Sequence, residues 1–224
     1  MGRRALPKLD PTLDLSQHLR TIEALPRPWD SAALFAADGP LEVEVGSGKG
    51  LFLQSAAIAA PDHNFLGVEV AKKYAHHTAA RLAKCGLKNA LIVQGDAQRV
   101  FRELLPAESL AAVHVYFPDP WWKKRHRKRR VMNEAFLKDV VRTLEPGGRF
   151  HFWTDVEEYF VEGLALVAEH TPLVGPLPVA QRPAEHDLDF RTHFERRMRL
   201  AELPVYRSEF RKESSAASGT SSAL

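Results

Sequence analysis

The sequence predicts an α/β protein of one domain, in which helices cover both faces of a doubly wound, mostly parallel β-sheet. Two observations predict this fold: short apolar segments alternate along the chain with segments of helical periodicity, and acidic residues stand where the apolar segments end. The chain has 224 residues, 45% of them hydrophobic, which is enough apolar material for the core of one domain.

Each element is predicted from its own stretch of sequence. Apolar segments of strand type predict strands at residues 41–45, 65–70, 90–95, 110–117 and 149–154. Helical spacing of apolar residues predicts helices at 49–60, 72–84, from Ala97 onward, 132–144 and 156–169. Gly86 ends the second of these helices, and the sequence Pro-Gly-Gly at 146–148 ends the fourth. Near-continuous apolar strands that alternate with helices indicate parallel βαβ units.

Acidic residues stand at all five predicted strand ends. They are Glu44, Glu69, Asp96, Asp119 and Asp155. The carboxyl ends of parallel strands meet at one edge of a sheet, and doubly wound sheets bind their ligands beyond that edge. Any one of the five could instead cap a helix, because Asp is a common N-cap residue. The set of five favours a ligand site at this edge.

A glycine-rich loop, EVGSGKG at 44–50, follows the first strand. Its spacing differs from the G-x-G-x-x-G of dinucleotide sites, and Lys49 is followed by glycine instead of the Ser or Thr of a P-loop. The carboxylate of Glu44, two residues before the first glycine, repels a pyrophosphate and attracts a cation. The loop therefore predicts a cationic ligand without phosphate.

S-adenosylmethionine is a ligand of this kind, because it carries a sulfonium and an amino group and no phosphate. Glu69 stands 23 residues after Gly46, where an acid can accept hydrogen bonds from both ribose hydroxyls. Asp96 can accept a hydrogen bond from the exocyclic amine of adenine. Together these residues predict S-adenosylmethionine as the cofactor.

The positive charge of the chain is concentrated in the basic segment, residues 123–130, which reads KKRHRKRR. Without its seven Lys and Arg, the remaining chain carries 24 of the 31 basic residues against 28 acidic ones. A short basic segment on a mildly acidic domain is typical of a protein that binds a polyanion such as RNA. The alternatives are a solvated surface or a localisation signal.

The lone cysteine, Cys85, excludes an internal disulfide and a multi-cysteine zinc site. The first residues lack the apolar stretch of a signal peptide, and no apolar run is long enough to cross a bilayer. We therefore expect a cytoplasmic protein without a membrane partner. The ten histidines show no metal-ligand spacing, so we also expect no metal.

The sequence resembles the bacterial tRNA (guanine-N7)-methyltransferases over residues 40–200. The most distinctive match is PDPWWKKRHRKRR at 118–130, accompanied in the family's order by EVGSGKG, GVEV, GDA, FWTD and, at 192–197, THFERR. The resemblance implies a Rossmann-like class I methyltransferase fold with tRNA as the partner. It also implies methyl transfer from S-adenosylmethionine to N7 of guanosine 46 in the variable loop. The sequence leaves open whether the protein is a monomer or a homodimer.

The resemblance also assigns roles to the residues that match the family's motifs. The implied cofactor contacts are Glu44, Gly46, Gly48, Glu69, Asp96, Ala97 and Asp119. Asp119 is also expected at the catalytic position. The implied contacts to the guanosine are Lys123, Asp155, Thr192, His193, Phe194 and Glu195. The basic segment supplies the expected phosphate contacts, which are Lys124, Arg125, Arg127, Lys128, Arg129 and Arg130.

The expected chemistry needs alignment and no general base, because N7 of guanine has a lone pair and no proton to lose. Asp119, Asp155 or Glu195 can accept hydrogen bonds from guanine N1–H and its 2-amino group, a donor pair that adenine lacks. Trp121 and Trp122 can stack on an extruded base. We expect one of the two at the site and the other buried against the sheet.

Two other functions fit parts of the pattern. One is a methyltransferase for another RNA or a small molecule, although the basic segment argues against a small molecule. The other is a non-catalytic RNA-binding module with the same fold, although the acids at every strand end argue against it.

The chain is predicted to divide into an N-terminal extension at 1–30, a methyltransferase domain at 31–212 and a disordered tail at 213–224. The tail is predicted from its small, polar composition. The sequence RRMRLAELPVY, which begins at 196, has no glycine before the final strand, where the family pattern leads us to expect one. That departure concerns the local backbone, since the site residues are intact.

Overall fold

The computed structural model describes residues 6, 8–181 and 183–214, and it contains one sheet of eight strands. The strands are β1 Leu19–Thr21, β2 Leu41–Val45, β3 Asn64–Glu69, β4 Ala90–Gln94, β5 Leu110–Tyr116, β6 Leu144–Thr154, β7 Val174–Leu177 and β8 Tyr206–Arg211. The α-helices are α1 Leu51–Ala59, α2 Lys72–Lys84, α3 Ala97–Glu103, α4 Glu134–Thr143, α5 Glu157–His170 and α6 His193–Leu200. The predicted α/β fold with a doubly wound sheet is confirmed.

The strand order is β1-β4-β3-β2-β5-β6-β8-β7. Strands β1 to β6 all run parallel to one another. The chain builds outward from β2 to β3 and β4, then crosses over and builds in the other direction through β5 and β6. The direction therefore switches between β2 and β5, where Glu44 and His114 are register partners. A crevice at the carboxyl ends of such strands is the usual ligand position in an open α/β sheet.

Helices pack on both faces of the sheet. On one face, Phe52 of α1 and Leu82 of α2 pack against Phe65 of β3 in one apolar cluster. On the other face, α3, α4 and α5 form a second cluster with the sheet, which includes Phe101 and Phe136. In the described part of the chain, no helix is long and apolar enough to cross a membrane.

Most of the predicted elements are present, and α2 has the predicted bounds. The Pro-Gly-Gly sequence at 146–148 ends α4 as expected, but it lies inside the residues of β6. The register jumps there, since Leu110 pairs with Leu144 and Ala112 pairs with Arg149. The extra residues bulge out of the strand at this point, with Gly147 at φ +85°.

The N-terminal residues take part in the sheet. β1, which lies in the predicted extension at 1–30, pairs with β4 and forms an edge of the sheet. Ile22 and Leu25, just after it, are buried in the core. Residues 215–224 of the predicted disordered tail lie outside the described residues.

Candidate active site

The glycine-rich loop between β2 and α1 leaves open space at the strand ends. Gly46, Gly48 and Gly50 all have left-handed φ, at +77°, +54° and +70°. A Cβ on Gly50 would lie 2.4 Å from Thr78 Cγ2, so Gly50 allows the loop to pack against α2. A Cβ on Gly46 would meet nothing within 4 Å. The backbone at Gly46 is therefore open to a ligand that lies on the loop.

Glu69, at the end of β3, holds this loop in place. Its Oε2 accepts a hydrogen bond from the Gly48 N–H at 2.9 Å, and its Oε1 accepts one from the Ala71 N–H at 2.8 Å. The side chain is largely buried, yet each carboxylate oxygen can accept a further bond. Glu69 therefore has a structural contact to the loop and retains acceptor capacity for a ligand.

Glu44, in β2 beneath the loop, is a buried carboxyl without a full set of partners. The residue is 2% exposed, and its Oε2 has no hydrogen-bond partner among the described residues. Burial is the main cause that raises the pKa of Glu44 to about 8; the Ser47 hydroxyl opposes this rise and the charge of Glu69 contributes to it. An unpartnered buried carboxyl beside an open loop matches a ligand that brings a positively charged donor.

The loop and its carboxylates fit S-adenosylmethionine. Its amino group can donate to the unpartnered oxygen of Glu44. The ligand can also lie close to the loop backbone at Gly46, which is open. Asp96 is exposed after β4 and caps α3, because its Oδ1 accepts from the Gln98 N–H at 2.9 Å. Asp96 therefore has the helix-capping role that was the alternative for an acid at a strand end. Its other carboxylate oxygen can still accept a hydrogen bond from a ligand. Ala97, the first residue of α3, is buried.

Asp119 lies at the tip of a stiff turn after β5. The turn is bracketed by two residues with left-handed φ, Phe117 at +50° and Trp121 at +42°. Non-glycine residues rarely adopt this conformation, and prolines on both sides of Asp119 restrict the backbone further. The Phe117 N–H donates to the Trp153 carbonyl of β6 at 2.8 Å. The turn therefore presents an exposed carboxylate from a fixed backbone.

The two tryptophans of this turn have different surroundings. Trp121 is half-buried, with His126 edge-on at 5.8 Å and the Arg129 guanidinium 5.1 Å from its ring centroid. Trp122 is 58% exposed. The prediction that one of them is buried is wrong, because Trp121 packs against the basic segment instead of the sheet.

The basic segment forms a 3-10 helix over Lys124–Arg129 on the surface. The cationic side chains exposed to solvent are Lys123, Lys124, Arg125, Arg127, Lys128 and Arg129. Arg127 lies 3.7 Å from both Glu158 and Glu162 of α5. The exposed face of the segment is therefore strongly positive, and α5 balances part of that charge.

Arg130 differs from the rest of the segment, and its predicted phosphate contact has to be corrected. The side chain is buried, its Nε donates to the Pro120 carbonyl at 2.7 Å, and its guanidinium pairs with Glu162. The guanidinium also lies 4.6 Å from the ring centroid of Tyr159. Arg130 fastens the turn and the basic segment to α5.

Helix α6 begins over the Asp119 turn. The Thr192 hydroxyl caps it by accepting from the Glu195 N–H at 3.0 Å. Phe194 is 42% exposed and stacks on Phe117, with 5.9 Å between ring centroids and 20° between the planes. The Thr192–Glu195 stretch is therefore brought to the same part of the molecule as the turn.

Glu195 is held by protein groups. It is 3% exposed, its Oε1 lies 3.1 Å from Arg207 Nη2, and its Oε2 accepts from the Arg191 N–H at 2.7 Å. Arg199 lies 3.5 Å from the same Oε1. Through these contacts the Glu195 carboxylate connects α6 to β8. Of the acids expected to read guanine, Asp119 is exposed and Asp155 is half-buried at the end of β6.

One group of residues near the loop was missed by the sequence reasoning. Lys49, His77 and Arg81 lie together beside His193 of α6. Arg81 Nη2 is 3.4 Å from His193 Nε2, and the hydroxyl of Thr78, next to His77, donates at 3.0 Å to the carbonyl of Gly48, next to Lys49. Two signals in the sequence point to this group. Lys49 is the non-glycine residue inside the loop motif, and His77 and Arg81 are four residues apart on one helical face.

Replacing Glu44 by Gln should stabilise the ligand-free protein increasingly as pH rises. The carboxyl keeps its proton in the folded state up to about pH 8 but loses it near 4.5 when unfolded. Its contribution to stability therefore falls between these values, by about 1.4 kcal/mol per pH unit at most. Urea unfolding at several pH values measures the difference between E44Q and the parent. Glu202→Gln, at an exposed carboxylate, is the control and should add no such slope. A flat difference for E44Q would contradict the buried, protonated carboxyl.

Comparison with known proteins gives the chain a family. A family model described as "Putative methyltransferase" matches residues 38–208. A tRNA (guanine-N(7)-)-methyltransferase of Rhodopirellula baltica is 53% identical over 220 residues, which cover 96% of this chain and 81% of that protein. A protein of the same name from Myxococcus xanthus is 37% identical over 84% of this chain and 89% of its own length.

Solved structures agree on the fold. An SAM-dependent O-methyltransferase from Thermotoga maritima aligns with a TM-score of 0.50 and 18% identity, over 82% of this chain and 63% of that chain. A tRNA (m1A58) methyltransferase from Aquifex aeolicus aligns with a TM-score of 0.50 and 16% identity, over 79% and 63%. These likenesses show the methyltransferase fold alone. The family model and the two relatives show that the chain belongs to the tRNA (guanine-N(7)-)-methyltransferase family.

Proposed function

We propose that this protein transfers the methyl group of S-adenosylmethionine to N7 of guanosine 46 in the variable loop of tRNA, in the cytoplasm. The observation that carries the proposal is the buried, unpartnered carboxyl of Glu44 under the open glycine loop, at the same sheet edge as exposed Asp119. Relatives that are named for guanine N7 methylation of tRNA support the choice of substrate and atom.

The glycine loop and the acids around it hold the cofactor in this proposal. Glu44 takes the amino group, Gly46 and Gly48 allow the methionine part to lie close to the backbone, and Glu69 receives the ribose hydroxyls. Asp96 receives the adenine amine with the oxygen that does not cap α3. Bound in this way, S-adenosylmethionine supplies a methyl group that is activated by the adjacent sulfonium.

Asp119 and Asp155 orient the guanine. Both stand at ends of neighbouring parallel strands, β5 and β6, and both have accessible carboxylates. They accept hydrogen bonds from N1–H and the 2-amino group, and adenine, which has neither donor, would leave both carboxylates without these bonds. Their negative charge also stabilises the positive charge that develops on the methylated ring. No group has to remove a proton from N7, so alignment is the main task of the site.

The basic segment supplies affinity for the RNA backbone. Its exposed lysines and arginines lie directly after the Asp119 turn, so phosphates bound there flank a base that enters the site. Lys123, the first residue of the basic segment, is the one closest in sequence to Asp119. In this proposal its side chain contacts the target nucleotide. Trp122, with more than half of its surface exposed, offers a ring on which an extruded base can stack.

A methyl-transfer assay tests the function directly. The protein is incubated with radiolabelled S-adenosylmethionine and an unmodified tRNA transcript, and borohydride–aniline cleavage then locates 7-methylguanosine. We expect cleavage at position 46, and none in a matched transcript that carries adenosine there. Methyl transfer to another nucleotide, or to a substrate other than tRNA, would refute the proposal.

Asp119→Asn should lower kcat by about 100-fold, because it removes a charge that acts on the methylated ring in the transition state. The dissociation constant of S-adenosylhomocysteine should change by less than about threefold if Asp119 acts mainly on the guanine. The control is Asp38→Asn, at an exposed carboxylate before β2 and therefore at the opposite edge of the sheet. A D119N protein with unchanged kcat would remove Asp119 from the reaction.

Replacing Lys124 and Lys128 together by Gln should weaken tRNA binding and flatten its salt dependence. Both side chains are exposed on the 3-10 helix. Each lost phosphate contact lowers the slope of log K against log salt by about 0.7 to 0.9. Filter binding across a salt series measures the slope. Lys138→Gln on α4, also exposed, is the matched control. If the double variant keeps the parent slope, the basic segment does not contact phosphate.

A further inference from the structure

A second group of basic side chains lies beside the glycine loop, apart from the basic segment. It consists of Lys49 from the loop, His77 and Arg81 from α2, and His193 from α6, and we call it the loop cluster. Arg81 Nη2 lies 3.4 Å from His193 Nε2, which joins α2 to the start of α6. All four residues are half-buried, so the cluster is open to solvent on one side.

The charges within the loop cluster repel one another. Burial and then the positive charges of Arg81 and Lys49 lower the pKa of His193 to about 4. The same causes in the same order lower the pKa of His77. The charged groups that lower the pKa values of both histidines are all basic, so the potential at the cluster is positive.

Two polar atoms of the cluster are buried without a partner. They are His77 Nδ1 and Arg81 Nε, for which no hydrogen-bond partner exists among the described residues. Arg81 is nevertheless well anchored, because its Nη1 donates to Gln54 Oε1 at 2.5 Å. A fixed guanidinium with an unused donor, next to a lysine, matches an oxyanion in both charge and hydrogen bonding.

We propose that the loop cluster is a phosphate-binding site for the tRNA backbone next to the target guanosine. This inference rests on the proposed function, because it takes tRNA as the ligand. Helix α6 links the cluster to the base-binding region: His193 faces Arg81, and the next residue, Phe194, stacks on Phe117 at the Asp119 turn. Two adjacent residues at the start of α6 therefore connect the phosphate site with the position of the base.

The carboxylate of S-adenosylmethionine is the other oxyanion that could enter this region. The amino group of the cofactor belongs beside Glu44, and its carboxylate is attached to the same carbon. The loop cluster is joined instead to the region of the base, because Arg81 contacts His193 and the adjacent Phe194 stacks on Phe117 at the Asp119 turn. This position favours a phosphate next to the target base.

The test compares RNA and cofactor affinities in the full-length protein. Lys49→Met and Arg81→Gln are made singly and together, with Lys49→Arg as the variant that keeps the charge. Filter binding gives the tRNA dissociation constant over a salt series, and calorimetry gives that of S-adenosylhomocysteine. We expect the double variant to weaken tRNA binding by about tenfold and to lower the salt slope by about 1.4. Cofactor affinity should stay within twofold, and K49R should retain most of the tRNA affinity.

Three results would overturn the proposal. Weaker cofactor binding with unchanged tRNA binding would mean that the cluster holds the cofactor carboxylate. No change in either affinity would mean that it holds no anion. A loss of both affinities would mean that it supports the loop instead of a ligand. Lys138→Met serves as the surface-charge control. If the parent protein binds tRNA but does not methylate it, the proposed function fails, while the comparison of affinities still decides the phosphate site.

Discussion

Parallel pairing of the central strands is the constraint on which the site depends. Because β2 to β6 all run the same way, residues separated by more than a hundred positions in sequence come to one edge of the sheet. Strand ends supply Glu44 and Glu69, and the loops directly after strands supply Asp96, Asp119 and Asp155. A single slip of register would turn the side chain of Glu44 to the other face of the sheet.

The burial of Glu44 is costly without a ligand. A carboxyl in this position keeps its proton or finds a cation, and the glycine loop above it leaves room for one. Glu69 keeps that loop in position through the hydrogen bond that it accepts from the Gly48 N–H, and a second bond from the Ala71 N–H fixes the Glu69 side chain itself. Glu69 thus fixes the shape of the loop, and Glu44 determines the charge of the ligand that the loop can accept.

Local patterns predicted most of the fold, and contacts between distant residues explain what they missed. α2 and β2 have the predicted bounds because helical periodicity and strand composition are properties of the segment itself. The role of Arg130 could not be read from a run of seven basic residues, since its burial depends on Glu162 and Tyr159 in another helix. Glu195 is similar, because its partner Arg207 lies in a strand twelve residues away. The sequence predicted which residues belong to the motif. Only the packing of the folded chain shows which of them face a ligand and which of them stabilise the fold.

The left-handed residues that bracket the Asp119 turn have a consequence for substitutions at these two positions. Glycine at Phe117 or Trp121 would relieve the backbone conformation and so favour the folded state locally. It would also remove the ring that supports α6 or the ring that packs with the basic segment, and would let the turn sample many more shapes. The backbone conformation of the turn and the packing of its two rings are therefore linked, because a substitution that relaxes the backbone also releases the carboxylate that the turn holds in place.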